Sequence, residues 1–486
     1  MEQTRGEPQD PRDSLWHPDR RALTLGLVLT ITLVGFESLA ISTVMPIVER
    51  ELGGLELYGW VFSAFFLGSL IGIVVVGDAI DRGGLAIPFA AGLGLFALGL
   101  LGGGLAPSMP ILVAARFLQG LGAGTIQPIA YVAIGRTLPE SLRPRMFATL
   151  SSAWILPGVI GPAIAGTVGE AFHWRFVFLG LLPLIAIAGA LTLGALHAVA
   201  DMPAINDPGV TDPLAADRSA SRRGRLPLAI LVAFGSGLLT VGLTTGELLP
   251  TVVLSAIGIA IGLFALRRLT PVGTLVARPV LPAAILLRGI LTCAFFCVDA
   301  FVALTLVGWR GLSATEAGFA LTAATLSWTI GAWLQAHGSS RWPTHRFVRV
   351  GFAIVSVGLA GMLLVLRLDV PWVVAIASFG IAGLGMGLAY SPLALIVLRE
   401  ASPERQGAAT SSLSLTDSLG TAFGTGLTGA LVAASVRATG QPAAGLGIAF
   451  AAGSLIGLGG LALTGRLRPR QAPSGVLALS RSSPPP

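Results

Sequence analysis

The 486-residue sequence predicts an all-α polytopic membrane protein, and three observations carry that reading. Only 11% of its residues are charged and 53% are hydrophobic, whereas soluble domains average about 25% charged. Apolar runs of bilayer length, about 20 residues each, recur from end to end. They are continuous, without the ten-residue alternation of membrane barrel strands, so helices packed in lipid are expected.

The elements follow in order. Residues 1–21 are a polar tail. The apolar run after it, Ala22–Met45, is too long for a signal-peptide core and no small-residue cleavage site follows, so it reads as a retained first span. Further spans are expected at Leu57–Val76, Leu85–Leu105, Ile111–Ile134, Phe147–Gly169 and Phe176–Ala198, completing a six-helix bundle over 22–198. Residues 199–225, with the run DRSASRRGR, have the composition of a flexible cytosolic linker. Two spans, Leu226–Thr245 and Leu248–Leu266, turn at Gly246-Glu247 and make a hairpin over 226–268. Six more complete a second bundle over 280–465: Val280–Val307, Thr315–Leu334, Val350–Leu366, Trp372–Leu398, Ala408–Val436 and Ala443–Leu463. The tail 466–486 is rich in Arg, Ser and Pro and is expected to be disordered.

Charge sets the orientation. All 31 basic residues are Arg. With fourteen spans and the N-terminus inside, 24 of them fall on cytosolic loops and tails and five on outer loops (Arg50, Arg175, Arg310, Arg367 and Arg437). The remaining two, Arg116 and Arg288, lie within spans. This bias fits the positive-inside rule, placing both termini in the cytosol and the chain in the cell membrane. It also accounts for the net charge of +7 without nucleic acid as a partner. A chain without Lys has no phosphate-binding Gly-x-x-x-x-Gly-Lys loop, so no nucleotide is expected. Cys293 and Cys297, four apart on one helix, are poorly placed for a disulfide and too few for a metal site; they read as packing residues. No cofactor and no enzymatic activity are expected.

The two groups of six repeat. Gly120-Leu-Gly-Ala-Gly124 matches Gly383-Leu-Gly-Met-Gly387 at an offset of 263, Pro139-Glu140 matches Pro403-Glu404 at 264, and Gly161 maps to Gly424 at 263. The hairpin then stands between two related halves. Parallel six-span repeats are a transporter design in which the site lies at midplane between halves. Within the first span sits Glu37, a carboxylate that costs about 2.5–3.5 kcal/mol near the bilayer centre and so points to proton or ion handling. At an offset of 262 its counterpart is Asp299, a second intramembrane acid.

Four segments resemble motifs of the major facilitator superfamily, in particular its drug:proton antiporters with fourteen spans. Phe36-Glu-Ser-Leu-Ala-Ile-Ser-Thr-Val-Met-Pro46 resembles the first-span motif, with Glu37 where the family usually has Asp and Ser42 where it has Asn. Gly77-Asp-Ala-Ile-Asp81-Arg82-Gly-Gly84 resembles the cytosolic loop motif, whose acid would hold a helix N-terminus of the other half; the usual basic pair after it is missing. Arg116-Phe-Leu-Gln119-Gly120-Leu-Gly122-Ala-Gly124 resembles the fourth-span motif. That implies Arg116 supports proton transfer with Glu37 as its partner, while Gly120 and Gly124 form a small-xxx-small packing face. Phe379 stands at the Arg116 position of the second half, so such a pair belongs to the first half only. Gly158-Val-Ile-Gly161-Pro162-Ala-Ile-Ala165-Gly166 resembles the fifth-span motif of exporters, with glycines and proline that kink the helix and let it pack closely. His173-Trp174-Arg175 also looks like the fourteen-span group, or serves as an interfacial anchor.

The resemblance implies a major facilitator fold and export of a drug-like or amphiphilic small molecule in exchange for protons. Glu37, Arg116 and Asp299 would carry the coupling. Gln119 and Asp417 are further candidates to line the cavity. Arg288 shares a helix face with Asp299 but lies too far along it to pair. Glu247 and Glu316, near outer ends, read as wetted. Three other readings stay open: a dedicated exporter of one metabolite, lipid or self-made antibiotic; a non-transporting membrane receptor; and an importer, which the Gly158–Gly166 motif disfavours.

Overall fold

The computed structural model describes residues 14–139, 141–200, 225–339, 341–402 and 406–468. Most of both tails and most of the linker expected at 199–225 lie outside them, as do Glu140 and both residues of the Pro403-Glu404 match. All regular elements among the described residues are helical. Fourteen of the helices are long and apolar enough to cross a membrane: Arg20–Leu52, Leu55–Val76, Ala86–Gly104, Met109–Thr137, Ile155–His173, Arg175–His197, Arg225–Thr244, Leu248–Leu269, Leu281–Trp309, Ala314–Gly338, Thr344–Val365, Val373–Glu400, Ala408–Thr439 and Ala443–Leu467. They are called spans 1 to 14. The end of the bundle where span 1 starts is the near end, and the opposite one the far end.

Neighbours repeat at a spacing of eight spans. Span 4 packs on spans 2 and 3, as span 12 packs on 10 and 11; span 1 packs on 5 and 6, as span 9 packs on 13 and 14. Between the halves, span 5 meets span 10 and span 13 meets span 2, which completes a two-fold pattern. Glycines allow the close crossings. A Cβ on Gly120 or Gly124 would overlap the carbonyl oxygen of Phe65 or Ser69 in span 2. One on Gly383 or Gly387 would overlap that of Ala324 or Trp328 in span 10. The two carbonyl pairs are 259 residues apart (324 − 65 and 328 − 69), while the glycines are 263 apart. Loops of unequal length therefore give each span its own offset.

That correction reaches span 1. Gly161 faces Phe36 and Leu39, and its counterpart Gly424 faces Cys293 and Cys297. Span 9 thus aligns with span 1 at an offset of 257 to 258 (293 − 36, 297 − 39). Glu37 falls opposite Ala294 and Phe295, and Asp299 falls opposite Ile41 and Ser42. Asp299 is not the positional equivalent of Glu37: it lies about one turn further toward the far end.

Two breaks differ from expectation. The helix of span 2 continues to Gly83, so Gly77, Asp81 and Arg82 extend it; the chain turns at Gly84, whose φ of 82° suits a residue without Cβ. The side chains of Asp81 and Arg82 lie outside the described residues. In span 5 the helix Ile155–Val168 runs through Pro162 without interruption, and the chain breaks earlier, at Ala153-Trp154, between it and the helix Arg143–Ser152. Pro157 supplies the reason. It has no N–H for the carbonyl of Ala153 four residues back, and that carbonyl instead accepts from the Thr32 hydroxyl of span 1 at 3.2 Å.

Spans 7 and 8 form an antiparallel pair in which Gly235 meets Gly258 and Gly262 and Gly242 meets Ser255. Span 7 packs against both span 2 and span 13. Span 8 touches little besides span 7, with 11% of its apolar window buried.

Candidate functional site

Glu37 and Arg116 meet in an ion pair between spans 1 and 4, both side chains 2% exposed. Span 4 brings Arg116 there with its supports in place. Its Nε donates to the Val61 carbonyl at 3.2 Å, its second nitrogen reaches Gln119 Oε1 at 2.8 Å one turn along, and its guanidinium lies 4.4 Å from the centre of the Phe65 ring. Three groups therefore hold the Arg besides the carboxylate. Satisfaction is incomplete on the other side: among the described residues, Glu37 Oε2, Gln119 Nε2 and the hydroxyl of Tyr58 are buried without a hydrogen-bond partner. Buried polar atoms are rarely left so, and one oxygen of Glu37 is free to take a proton or a donor.

The second half carries a different arrangement. Phe379, at the Arg116 position, stacks on Phe295 with centroids 5.2 Å apart and planes at 17°. An aromatic pair thus stands where the first half has its ion pair. The charge of this half sits elsewhere: Arg288 Nε donates to Asp417 Oδ1 at 2.8 Å, Tyr390 donates its hydroxyl to Asp417 Oδ2 at 3.0 Å, and Arg288 also reaches the Tyr390 carbonyl at 2.6 Å. By the offset above, Arg288 lies six to seven residues, about 10 Å, nearer the near end than the Glu37 level. Sequence reasoning placed Asp417 near the cavity but missed Arg288 as its partner. Arg288 is buried, its side chain 7% exposed, while Asp417 is partly exposed at 25%.

Asp299 joins neither cluster. It ends the helix Leu281–Asp299, just before a two-residue turn and a π-helical segment, Leu304–Trp309. Among the described residues its carboxylate has no ion pair or hydrogen bond. Aromatic rings link the two clusters across the seam between halves. Phe65 packs edge-on to Phe66, Phe66 lies 6.0 Å from Phe296, and Phe295, next to Phe296, lies 5.7 Å from Trp328, which packs on Tyr390 at 5.2 Å. Phe66, Phe296, Trp328 and Tyr390 are each partly exposed.

The exporter-like segment of span 5 packs on span 10 of the other half. A Cβ on Gly158 would overlap the Thr325 side chain, one on Gly166 would lie 3.0 Å from the Thr315 nitrogen, and Gly318 faces Pro162 at 3.2 Å. At the far end Glu170 accepts from the Ala314 amide and, at 3.1 Å, from the Thr315 hydroxyl. Arg50 of span 1 donates to the Val307 carbonyl of span 9 at 3.0 Å. Ser63 of span 2 donates to the Ala422 carbonyl of span 13 at 2.9 Å. The Glu170 and Arg50 contacts join the halves at the far end, so the molecule is closed there. His173, Trp174 and Arg175 converge on Glu51; Trp174 is 1% exposed and donates to that carboxylate, which makes it a buried strut and not a surface anchor. Glu316 is engaged as well, in a capping box with Ser313 that starts span 10.

Two repeated six-span halves, with charged side chains buried among their helices and a chain of aromatic rings across the seam between, define a multi-pass membrane protein of the secondary-transporter class. The chain belongs to the Major Facilitator Superfamily, whose family model matches residues 27–425. That family is one of transporters and not of enzymes, and the fourteen spans fit its fourteen-span drug:proton antiporters. Similar sequences include a Mycobacterium tuberculosis protein named "Probable multidrug-efflux transporter", 28% identical over 85% of this chain and 88% of its own. The multidrug transporter protein MdtP of Bacillus subtilis is 26% identical over 85% of this chain and 75% of its own. Among solved structures, the peptide-transporter-family protein PepTSo superposes with a TM-score of 0.66 at 15% identity, covering 94% of this chain and 98% of that one. A D-xylose-proton symporter superposes with a TM-score of 0.63 at 14% identity, covering 92% and 98%. These two likenesses bear on the fold alone.

Proposed function

We propose that the protein exports an amphiphilic, drug-like compound in exchange for protons by alternating access, with its near end and both termini in the cytosol of a cell whose plasma membrane it spans. The observation that carries this reading is the buried Glu37–Arg116 pair with its unpartnered carboxylate oxygen. Such a pair has two stable arrangements. With Glu37 ionised it is closed through one carboxylate oxygen; protonation removes the attraction and leaves Arg116 on its other acceptors, Val61 and Gln119. Exchange follows if proton and compound compete for that carboxylate, the compound resting on the partly exposed rings from Phe66 to Tyr390. Amphiphilic and cationic molecules suit such a lining. The multidrug names of the similar sequences support the substrate class, and the positive-inside bias supports the orientation. Asp417, held by Arg288 and Tyr390, is the better second-half coupling candidate, and Asp299 becomes a secondary one. Gly77, Asp81, Arg82 and Gly84 are assigned to a near-end gate and Gly120, Gly124, Gly158, Gly161, Pro162 and Gly166 to close helix contact.

The test is transport in inverted vesicles under an imposed pH gradient, with a lipophilic dye cation as probe. Glu37→Gln should abolish gradient-driven uptake while dye binding persists. Gradient-driven uptake at the wild-type rate in Glu37→Gln would overturn the assignment.

A further inference from the structure

A cleft of about 470 Å³ opens at the near end between the start of span 11 and the end of span 14. Trp342, His345, Arg346, Arg349, Thr464 and Arg468 line it. Among the described residues the three guanidinium groups make no ion pair or hydrogen bond, and no carboxylate lines the cleft. Three cations held together without counter-charge leave a strong demand for an anion. Span 11 adds to it, because its helix starts at Thr344 with no side-chain cap and its positive end lies at the cleft.

We propose that this cleft binds the phosphate of an anionic phospholipid headgroup. The position favours a lipid over a soluble anion. Arg346 and Arg349 lie in the first turns of a span and Arg468 just past the end of another, which is headgroup depth. Trp342, half exposed and packed on Phe347 at 5.6 Å, sits at the rim as indoles do at membrane interfaces. Val350 lines the cleft, and Val357, two turns on along the same face, is 64% exposed. An apolar track for an acyl chain thus leaves the cleft toward the bilayer interior. Basic pockets between spans on this side are the chemistry that recognises such headgroups. The site is separate from the transport reading and stands or falls without it.

Native mass spectrometry of the delipidated full-length protein tests it, titrating phosphatidylglycerol against phosphatidylcholine. One phosphatidylglycerol should be retained in preference. At about fivefold per near-surface Arg, Arg346→Gln/Arg349→Gln should weaken it about 30-fold, and Arg468→Gln alone about fivefold if the double variant fails to fold. Arg267→Gln/Arg268→Gln, the same charge loss at the near end of span 8, should leave it unchanged. Equal loss in both double variants would show general surface attraction and overturn the site. So would full retention in the cleft variants. Displacement of the lipid by millimolar inorganic phosphate would assign the cleft to a soluble anion and overturn the lipid assignment.

Discussion

Removing the Glu170 carboxylate should open the far end. In the closed molecule this side chain leaves span 5 and binds the first turn of span 10 in the other half, taking the Ala314 amide and the Thr315 hydroxyl. The helix does not need it to form, since Ser313 and Glu316 already cap that turn, so the contact acts between halves. An anion at a helix N-terminus is worth about 0.3–1 kcal/mol when exposed, and Glu170 is exposed. Adding the hydroxyl bond gives about 1 kcal/mol, or roughly a fivefold shift in the ratio of far-closed to far-open molecules. Arg50 on Val307 is a second such contact. Losing both, Glu170→Ala with Arg50→Ala, should shift the ratio roughly 30-fold if they add. Spin labels at Phe172→Cys and Leu368→Cys report it, because both positions are exposed at the far end and the native Cys293 and Cys297 are buried. A longer separation should gain population in the order wild type, single variants, double variant. A double variant with the wild-type distance distribution would refute the latch.

Other outcomes follow from the same structure. Gly120→Val forces a side chain into the Phe65 carbonyl and should lower thermal stability in detergent by about 1–3 kcal/mol or more, whereas Gly135→Ala, where a Cβ meets nothing within 4 Å, should be neutral or stabilise slightly. Arg288→Ala leaves Asp417 without its charge partner and should cost more stability than Arg288→Ala/Asp417→Asn together, a non-additivity that a double-mutant cycle measures. In the far-end loop, the Arg367 guanidinium hydrogen-bonds Asp369 and holds its carboxyl below the usual range. A depressed acid stabilises above its unfolded value, near 4, and the effect fades as pH falls through the lower folded value. Asp369→Asn should therefore leave the transport profile between pH 5.5 and 8 unchanged.

The membrane class and the number of spans were legible because each run of apolar residues is a local signal, readable without its neighbours. The Glu37–Arg116 pairing was legible only through motifs, since nothing in spacing tells that residues 79 apart will meet. Arg288 and Asp417, 129 apart, carried no such motif and were missed as a pair. The equivalence of Asp299 with Glu37 failed for a geometric reason: one offset was carried across spans whose connecting loops differ in length, and a few residues of error turn a helix face away. Pro162 stays inside a continuous helix, whereas the helix breaks at Ala153-Trp154, where Pro157 leaves the Ala153 carbonyl to the Thr32 hydroxyl.

Span 7 lies along span 2 of one half and span 13 of the other, so it plasters over one of the two seams. Among the described residues no hairpin span covers the opposite seam, where spans 5 and 10 pack on each other directly, so the proposed export would give a bilayer-dissolved compound a sideways route on that side. If the halves part as proposed, they cannot do so symmetrically without span 7 slipping on one of them.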